Sequence, residues 1–566
     1  MFGIRPAVFV FIMALIILVP SAQQRIEGRL DIPSVLPPGA LIYLESKDLA
    51  GQLQQWSASQ AKQSWLQSEN FSQFQKSRLY LRLQDRLQEF DSVAGLAVNL
   101  PLVNSLAGGR AGLALYSIQD LEFVFVTEIS GPQFEEGLFF QQRSQYEQKT
   151  AEGGLYFSRR GAKAGVSYAI RQNHFLLSTN ENLLRATLHN LASASSTDRL
   201  LLEPLFQETQ RALARAGDVW MYLNMTLVRT SRYFRNEWLY GNIDEMAGYR
   251  AGVVRFSLES GQYREERQFL LSSEAVPPPP IRATFLQSIP GKLEWVQVKA
   301  ATSREIATVL FSQLLNPLRS RDQTLSLTRS TAAYETAALL KNENRYFLQI
   351  DEPVSEARNS QEALRHEQEQ LVTQLATAVE NLKATTLLRC EMPTLDSQGF
   401  YHLQRALIFD GDEKNIGALK DVLRVQYSLL FLAGTPVNWA ARSGSIQSLG
   451  SVGGLSLGTR ANMLVLASNE NLARQLLEES NFLALPSQRP LHYFTSLDLD
   501  RFRPGYNAMF RSLEYDAQPH DSGRSGAYFS QNLGSLLISL SSLAGVSVEH
   551  WQVGNVLHEE VVYRIR

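Results

Sequence analysis

One stretch of this chain occurs twice. Residues 173–188, Asn-His-Phe-Leu-Leu-Ser-Thr-Asn-Glu-Asn-Leu-Leu-Arg-Ala-Thr-Leu, return at 462–477 as Asn-Met-Leu-Val-Leu-Ala-Ser-Asn-Glu-Asn-Leu-Ala-Arg-Gln-Leu-Leu. Eight of the sixteen positions are identical, where composition alone gives about one. A period this long restricts the fold to architectures built from two copies of one unit.

Further echoes follow in the same order. Pro290-Gly291 with Trp295 answers Pro38-Gly39 with Tyr43. Gly131 and Gly137 answer Gly411 and Gly417, and Tyr146 answers Tyr427. Near the ends, Glu265-Glu266 answers Glu559-Glu560. The offset is 252 at the first strand, 280 to 281 at Gly131 and Tyr146, and 289 at the repeat. The second copy therefore carries extra residues, assigned to a helical insertion around 317–388, and a smaller excess in the Gly/Ser-rich loop 443–459. Four prolines, 277–280, stiffen the chain between the copies. The expected organisation is a first module at 36–275, a Pro-rich linker at 276–283 and a second module at 284–566.

Within the first module, period-2 alternation marks strands at 41–45, 94–98, 111–116 and 123–129. A hairpin follows at 155–159 and 166–171. Helical spacing marks 49–66, with Asp48 as its cap, then 71–90, 132–148 and 200–216. This mixture, with hairpins, favours an α+β fold of mostly antiparallel sheet flanked by amphipathic helices, not a doubly wound parallel sheet.

Length and charge narrow the function classes. The 566 residues exceed one core, and a net charge of -2 leaves no basic excess for nucleic acid. Arg5 followed by an apolar run at 7–19 and by Pro20-Ser21-Ala22 reads as an export signal in residues 1–22, with an uncleaved membrane anchor as the alternative. The run is shorter than the roughly 20 residues that span a bilayer. Cys390 is the sole cysteine, so no internal disulfide forms and stability must come from packed cores.

The opening of the first module also resembles a family. Leu36-Pro37 leading to Tyr43, then Asp48-Leu49 at a helix start, is similar to uncharacterised exported bacterial proteins grouped as a domain of unknown function. The second module departs from that pattern, with Ser288, Trp295 and Ala300 at the matching places. The resemblance implies export and duplication, with no activity attached.

The residues that suggest chemistry all have a structural account. In the repeat, Thr179 and Ser468 are expected to cap a helix, with Glu181 and Glu470 in its first turn pairing Arg185 and Arg474. Glu265-Glu266 and Glu559-Glu560 lie in strands, where neighbours point to opposite faces, so neither pair can address one substrate; solvated or edge charge is the expected role. Gly454-Leu455-Ser456-Leu457-Gly458 has the letters of a nucleophile elbow, but a loop precedes it, a strand follows it, and no first-module serine answers it. Ser59 and Lys62 have serine-lysine spacing without companion motifs. Asp410-Gly411-Asp412-Glu413 lacks calcium-loop spacing and reads as a strand-to-helix turn. The eight histidines are scattered. The charged helix carrying Leu364, Leu371, Leu375, Val379 and Leu382 is expected to pack on its own domain, with a docking arm as the alternative.

No catalytic, cofactor or metal residues are assigned. The expectation is a non-enzymatic exported or envelope-associated protein that binds a partner protein or an apolar ligand. Membrane association would come through the N-terminal segment. The alternative is an envelope hydrolase whose site is assembled from distant residues.

Overall fold

The computed structural model describes residues 30–566 apart from 231–247, 273–278, 316–353, 396–400, 480–488, 517–540 and several shorter breaks. The expected export segment lies outside the described residues, as do residues 276–278 of the Pro-rich linker. The chain forms two compact units. Unit 1 comprises residues 1–277, 535–546 and 552–566; unit 2 comprises 278–534 and 547–551. The division falls within the run of prolines. The C-terminal residues depart from the expected 284–566 range because the last strand pairs inside unit 1.

Unit 1 contains β1 (Ile42–Ser46), β2 (Ala111–Ser117), β3 (Glu122–Glu128), β4 (Glu147–Ala151), β5 (Gly154–Arg160), β6 (Gly165–Arg171), β7 (His174–Ser178), β8 (Val219–Asn224), β9 (Tyr249–Glu259) and β10 (Gln262–Leu271). Hydrogen bonding orders them β4-β5-β6-β7-β3-β2-β1-β8-β9-β10, and each of these pairings is antiparallel. Its helices include α1 (Leu49–Ala58), α2 (Arg78–Ala94), α3 (Leu100–Leu106), α4 (Glu181–Ala192) and α5 (Pro204–Ala212). Asp48 caps α1 as expected, accepting from the Gly51 amide at 3.0 Å.

Both faces of the unit 1 sheet are covered at β6 and β7, which is why these strands read as nearly continuous buried runs. Leu184 and Leu188 of α4 and Phe206 of α5 close over Tyr43, Val124, Leu176 and Tyr222. On the other face, Phe90 and Val93 of α2 and Leu102 of α3 meet Tyr168, Phe175 and Leu177.

Unit 2 contains β11 (Trp295–Ala300), β12 (Thr386–Leu395), β13 (Tyr401–Asp410), β14 (Ala440–Ala441), β15 (Gln447–Ser448), β16 (Ser456–Arg460), β17 (Met463–Ala467) and β18 (Tyr493–Asp498). They pair in the order β14-β15-β16-β17-β13-β12-β11-β18, again antiparallel throughout. From β4 to β8 and from β14 to β18 the order is the same. Its helices include α6 (Ser303–Leu310), α7 (Val354–Asn381), α8 (Ile416–Phe431), α9 (Glu470–Glu478) and α10 (Leu499–Asp516). The last strands of the chain are β19 (Leu543–Val553) and β20 (Val556–Ile565).

The ladders correct one sequence equivalence. Val124 faces Ser178 as Ala406 faces Ala467. Stepping outward, Val124 faces Ala114 and Ala114 faces Tyr43, whereas Ala406 faces Cys390 and Cys390 faces Val296. Tyr43 therefore corresponds to Val296, one residue beyond the echo at Trp295. A one-residue slip would send a side chain to the opposite face, and both Tyr43 and Val296 are buried.

Three further expectations change. Where a strand is expected at 94–98, α2 ends with Ala94 and the chain turns at Gly95 towards α3, whose first turn is fixed by Pro101 and by Asn99 accepting from the Leu102 amide at 2.9 Å. Of the helix expected at 132–148, the described part is a short helix, Leu138–Gln141, followed by β4. The helical insertion ends with Asn381, because Thr386 already opens β12. The side chain of Leu364 lies outside the described residues, but Leu375, Val379 and Leu382 are buried against α6 and α8, so α7 packs within its own unit.

Phe206 meets Tyr222, Trp220 and Tyr43 at ring-centre distances of 4.8, 6.0 and 6.2 Å. Replacing it with alanine removes the edge contacts and leaves a cavity. The expected loss is about 3–5 kcal/mol of unfolding free energy, read from denaturant midpoints at unchanged slope.

Candidate binding surface and buried charge clusters

Antiparallel pairing places directly opposed residues on the same face. On the unit 1 face away from α4 and α5 it assembles a row across eight strands. Val254, Met221, Leu44, Leu113, Phe125, Leu177, Tyr168 and Phe157 face one another in succession from β9 to β5. One end belongs to a small cluster of Val219, Met221, Val254 and Phe256, and the other to the aromatic core beneath α2. Leu113 stands between the two and is 36% exposed. Beyond Phe157 and Tyr168, Leu155 and Ile170 are exposed as well. No single strand announces this surface, since each contributes one residue; the signal lies in the register.

The repeated stretch builds a joint, and its chemistry differs from the expected one. The helix caps are Asn180 and Asn469, accepting from the amides of Asn182 at 2.9 Å and Leu472 at 2.9 Å. Thr179 and Ser468 instead bind the neighbouring strand, accepting from the amides of Phe123 at 3.2 Å and Arg405 at 3.1 Å. Glu470 pairs Arg474 as expected. Glu181 turns to the adjacent hairpin, where Tyr156 and Ser158 donate to it at 2.8 and 3.1 Å and the Lys149 ammonium at 3.1 Å. Arg160 adds a 3.2 Å ion pair. Burial by itself would raise the Glu181 carboxyl; the hydrogen bonds from Tyr156, Lys149 and Ser158 outweigh it and hold it at about 2.

The paired glutamates are the main correction. They are not edge charge, because β10 lies between β9 and β20 within unit 1. Alternation does separate the neighbours. On one face Arg267 bonds both Glu265 and Glu559, and the Tyr563 hydroxyl approaches Glu265 at 3.3 Å. On the other, Glu266 bonds Arg255 and Glu560 bonds Arg264. Glu265 is buried, and desolvation raises its carboxyl above the ordinary range against the pull of Arg267.

The other candidates resolve locally. Ser456 is buried, and its hydroxyl pairs with that of Ser448 at 2.9 Å. It does have a first-module counterpart, since Ser167 pairs with Ser158 at the same distance of 2.9 Å. Ser59 caps a short helix, accepting from the Lys62 amide at 3.2 Å. Asp410 ends β13 and accepts from the amides of Thr385 and Thr386 at 2.8 and 2.7 Å. Cys390 sits in β12, and burial pushes its thiol up to about 12, the wrong direction for a nucleophile. A shallow cleft between α6 and α7 is of mixed polarity, with Arg304, Glu380 and Ala376 among its lining. Among the described residues, no cluster of three or more His, Cys, Asp or Glu side chains is placed to hold a metal ion. Nor is any described helix long and apolar enough to cross a membrane.

No family model matches the chain, and no curated protein does. Among solved structures, crystal form I of TP0453 is similar over 44% of this chain and 82% of its own, at 12% identity and a TM-score of 0.24. Crystal form III of TP0453 gives 44%, 83%, 11% and 0.25 for the same quantities. Scores this low assign neither fold nor function.

The low Glu181 value carries a pH signature. A depressed carboxyl stabilises the fold above its ordinary value near 4.5 and loses that contribution as pH falls towards about 2. Glu181→Gln should therefore flatten the acid limb of stability between those limits and lower stability at pH 7. Denaturant melts of both chains across that range check this; parallel acid limbs would remove Glu181 as the source.

Proposed function

We propose that this protein works at the cell envelope by binding an apolar group, a lipid or a hydrophobic partner segment, and performs no catalysis. The observation that supports this reading most is the apolar row across unit 1, with Leu113 exposed at its middle and Leu155 and Ile170 exposed beyond its end. Leu113 is the exposed member of an otherwise buried or half-buried row, so an apolar group that reaches it would continue a core already formed on either side. The titratable groups that suggested chemistry are meanwhile engaged by intramolecular partners: Glu181 by the β4–β5 hairpin, Glu265 and Glu559 by Arg267, and Ser456 by Ser448. Export rests on Arg5 and the apolar run that follows it, and construction from two copies of one module rests on the repeat and on the shared strand order.

Native mass spectrometry of the gently extracted chain should show adduct masses of lipid size. Leu113→Glu, which sets a charge in the middle of the row, should strip the adduct while leaving the melting temperature within about 2 °C, as for a surface change. A clean apo mass for the unsubstituted chain would overturn the reading. So would turnover in a broad hydrolase screen.

A further inference from the structure

The last strand of unit 1 pairs with β10 about a local twofold and shares its pair of glutamates. At an offset of 294, Glu265-Glu266 matches Glu559-Glu560, and Gly261 ahead of β10 takes the place of Asn555 ahead of β20. In the β10–β20 ladder, Glu266 faces Glu560, its own counterpart. The flanking bonds obey the same local twofold: the Leu271 amide donates to Asn555 O at 2.8 Å and the Ile565 amide to Gly261 O at 2.9 Å.

The two strands differ where the charge matters. The counterpart of Arg267 in β20 is Val561, which faces Glu265. On the buried face, Arg267 thus serves two carboxylates, Glu265 and Glu559. Suppose β10 paired instead with β10 of a second copy about the same centre. Glu265 of each strand would then face Arg267 of the other, giving two carboxylates and two arginines. Tyr263 would face Phe269, and each Glu266 would keep its bond to Arg255 of its own β9. On the buried face this pairing would set each Glu265 opposite an arginine, where β20 sets Val561. In the intact chain β20 holds the place because it is tethered, and tethering supplies a high effective concentration.

We propose that β10 is a homodimerisation edge for a second copy of this chain, kept closed by β20. Opening it requires β20 to leave both β10 and its hairpin partner β19, and the incoming strand is antiparallel and fixed in register by the Glu265–Arg267 pairs.

The twofold gives a direct probe. Since the Leu271 amide bonds the residue opposite it, alternation makes the Glu266 position a non-hydrogen-bonded pair, with Cα atoms about 4.5 Å apart. That spacing admits a disulfide. Cys390 is buried and does not compete. A chain ending at Asn555 and carrying Glu266→Cys should sediment as a dimer and oxidise to a disulfide between the two introduced thiols. Adding Arg267→Val should return it to monomer. A folded, monomeric truncated chain would overturn the proposal, as would a dimer that fails to cross-link. Should the truncated chain not fold, the full-length Glu559→Arg, Glu266→Cys chain decides. Its β20 sets a like charge against Arg267, so a cross-linked dimer is expected and a persistent monomer overturns the proposal. The full-length Glu266→Cys chain without Glu559→Arg should stay monomeric.

Discussion

Register is the constraint on which the rest of this protein depends. Side chains alternate along every strand, and the sheets carry packed cores on both faces. A shift of one residue in any ladder would therefore exchange two cores. The hydroxyls of Thr179 and Ser468 help to hold that register at equivalent places, each gripping the strand beside it as the chain turns into a helix. From those points the ladders run outward in the same order in both units. The apolar row, the serine pairs and the buried arginine all arise from residues made neighbours by pairing, not by sequence proximity.

Much of the architecture was legible in the letters. The repeat located the equivalent joints, and the Asp48 cap and the buried side of α7 were read correctly. What failed did so for identifiable reasons. Asn180 and Asn469 displaced the hydroxyl residues as caps because the hydroxyls were wanted by the adjacent strand. The segment 94–98 has strand-like letters, but Asn99 and Pro101 start a helix immediately after it. The Trp295 echo was out by one because a match of letters carries no information about the pleat.

The candidate surface was less legible than the fold. A row that takes one residue from each of eight strands has no local motif, and the strand order was needed before its members could be named. The glutamate pairs mislead in a related way. Two adjacent carboxylates in a strand look solvent-facing, and only the ladder shows that Arg267 lies beside one of them and Arg255 beside the other. Buried charges are kept when partners surround them, and here the partners come from three different strands.

The outer strands of the two sheets solve a common hazard by different means. An unpaired strand edge is a template on which other chains can aggregate. In unit 1 the outermost strand, β4, turns exposed Glu147, Gln148 and Thr150 to solvent. In unit 2 the outermost strand, β14, is two residues long, too short to nucleate a ladder. One end is guarded by polarity and the other by brevity, which leaves the growth of fibrils little to start from at either.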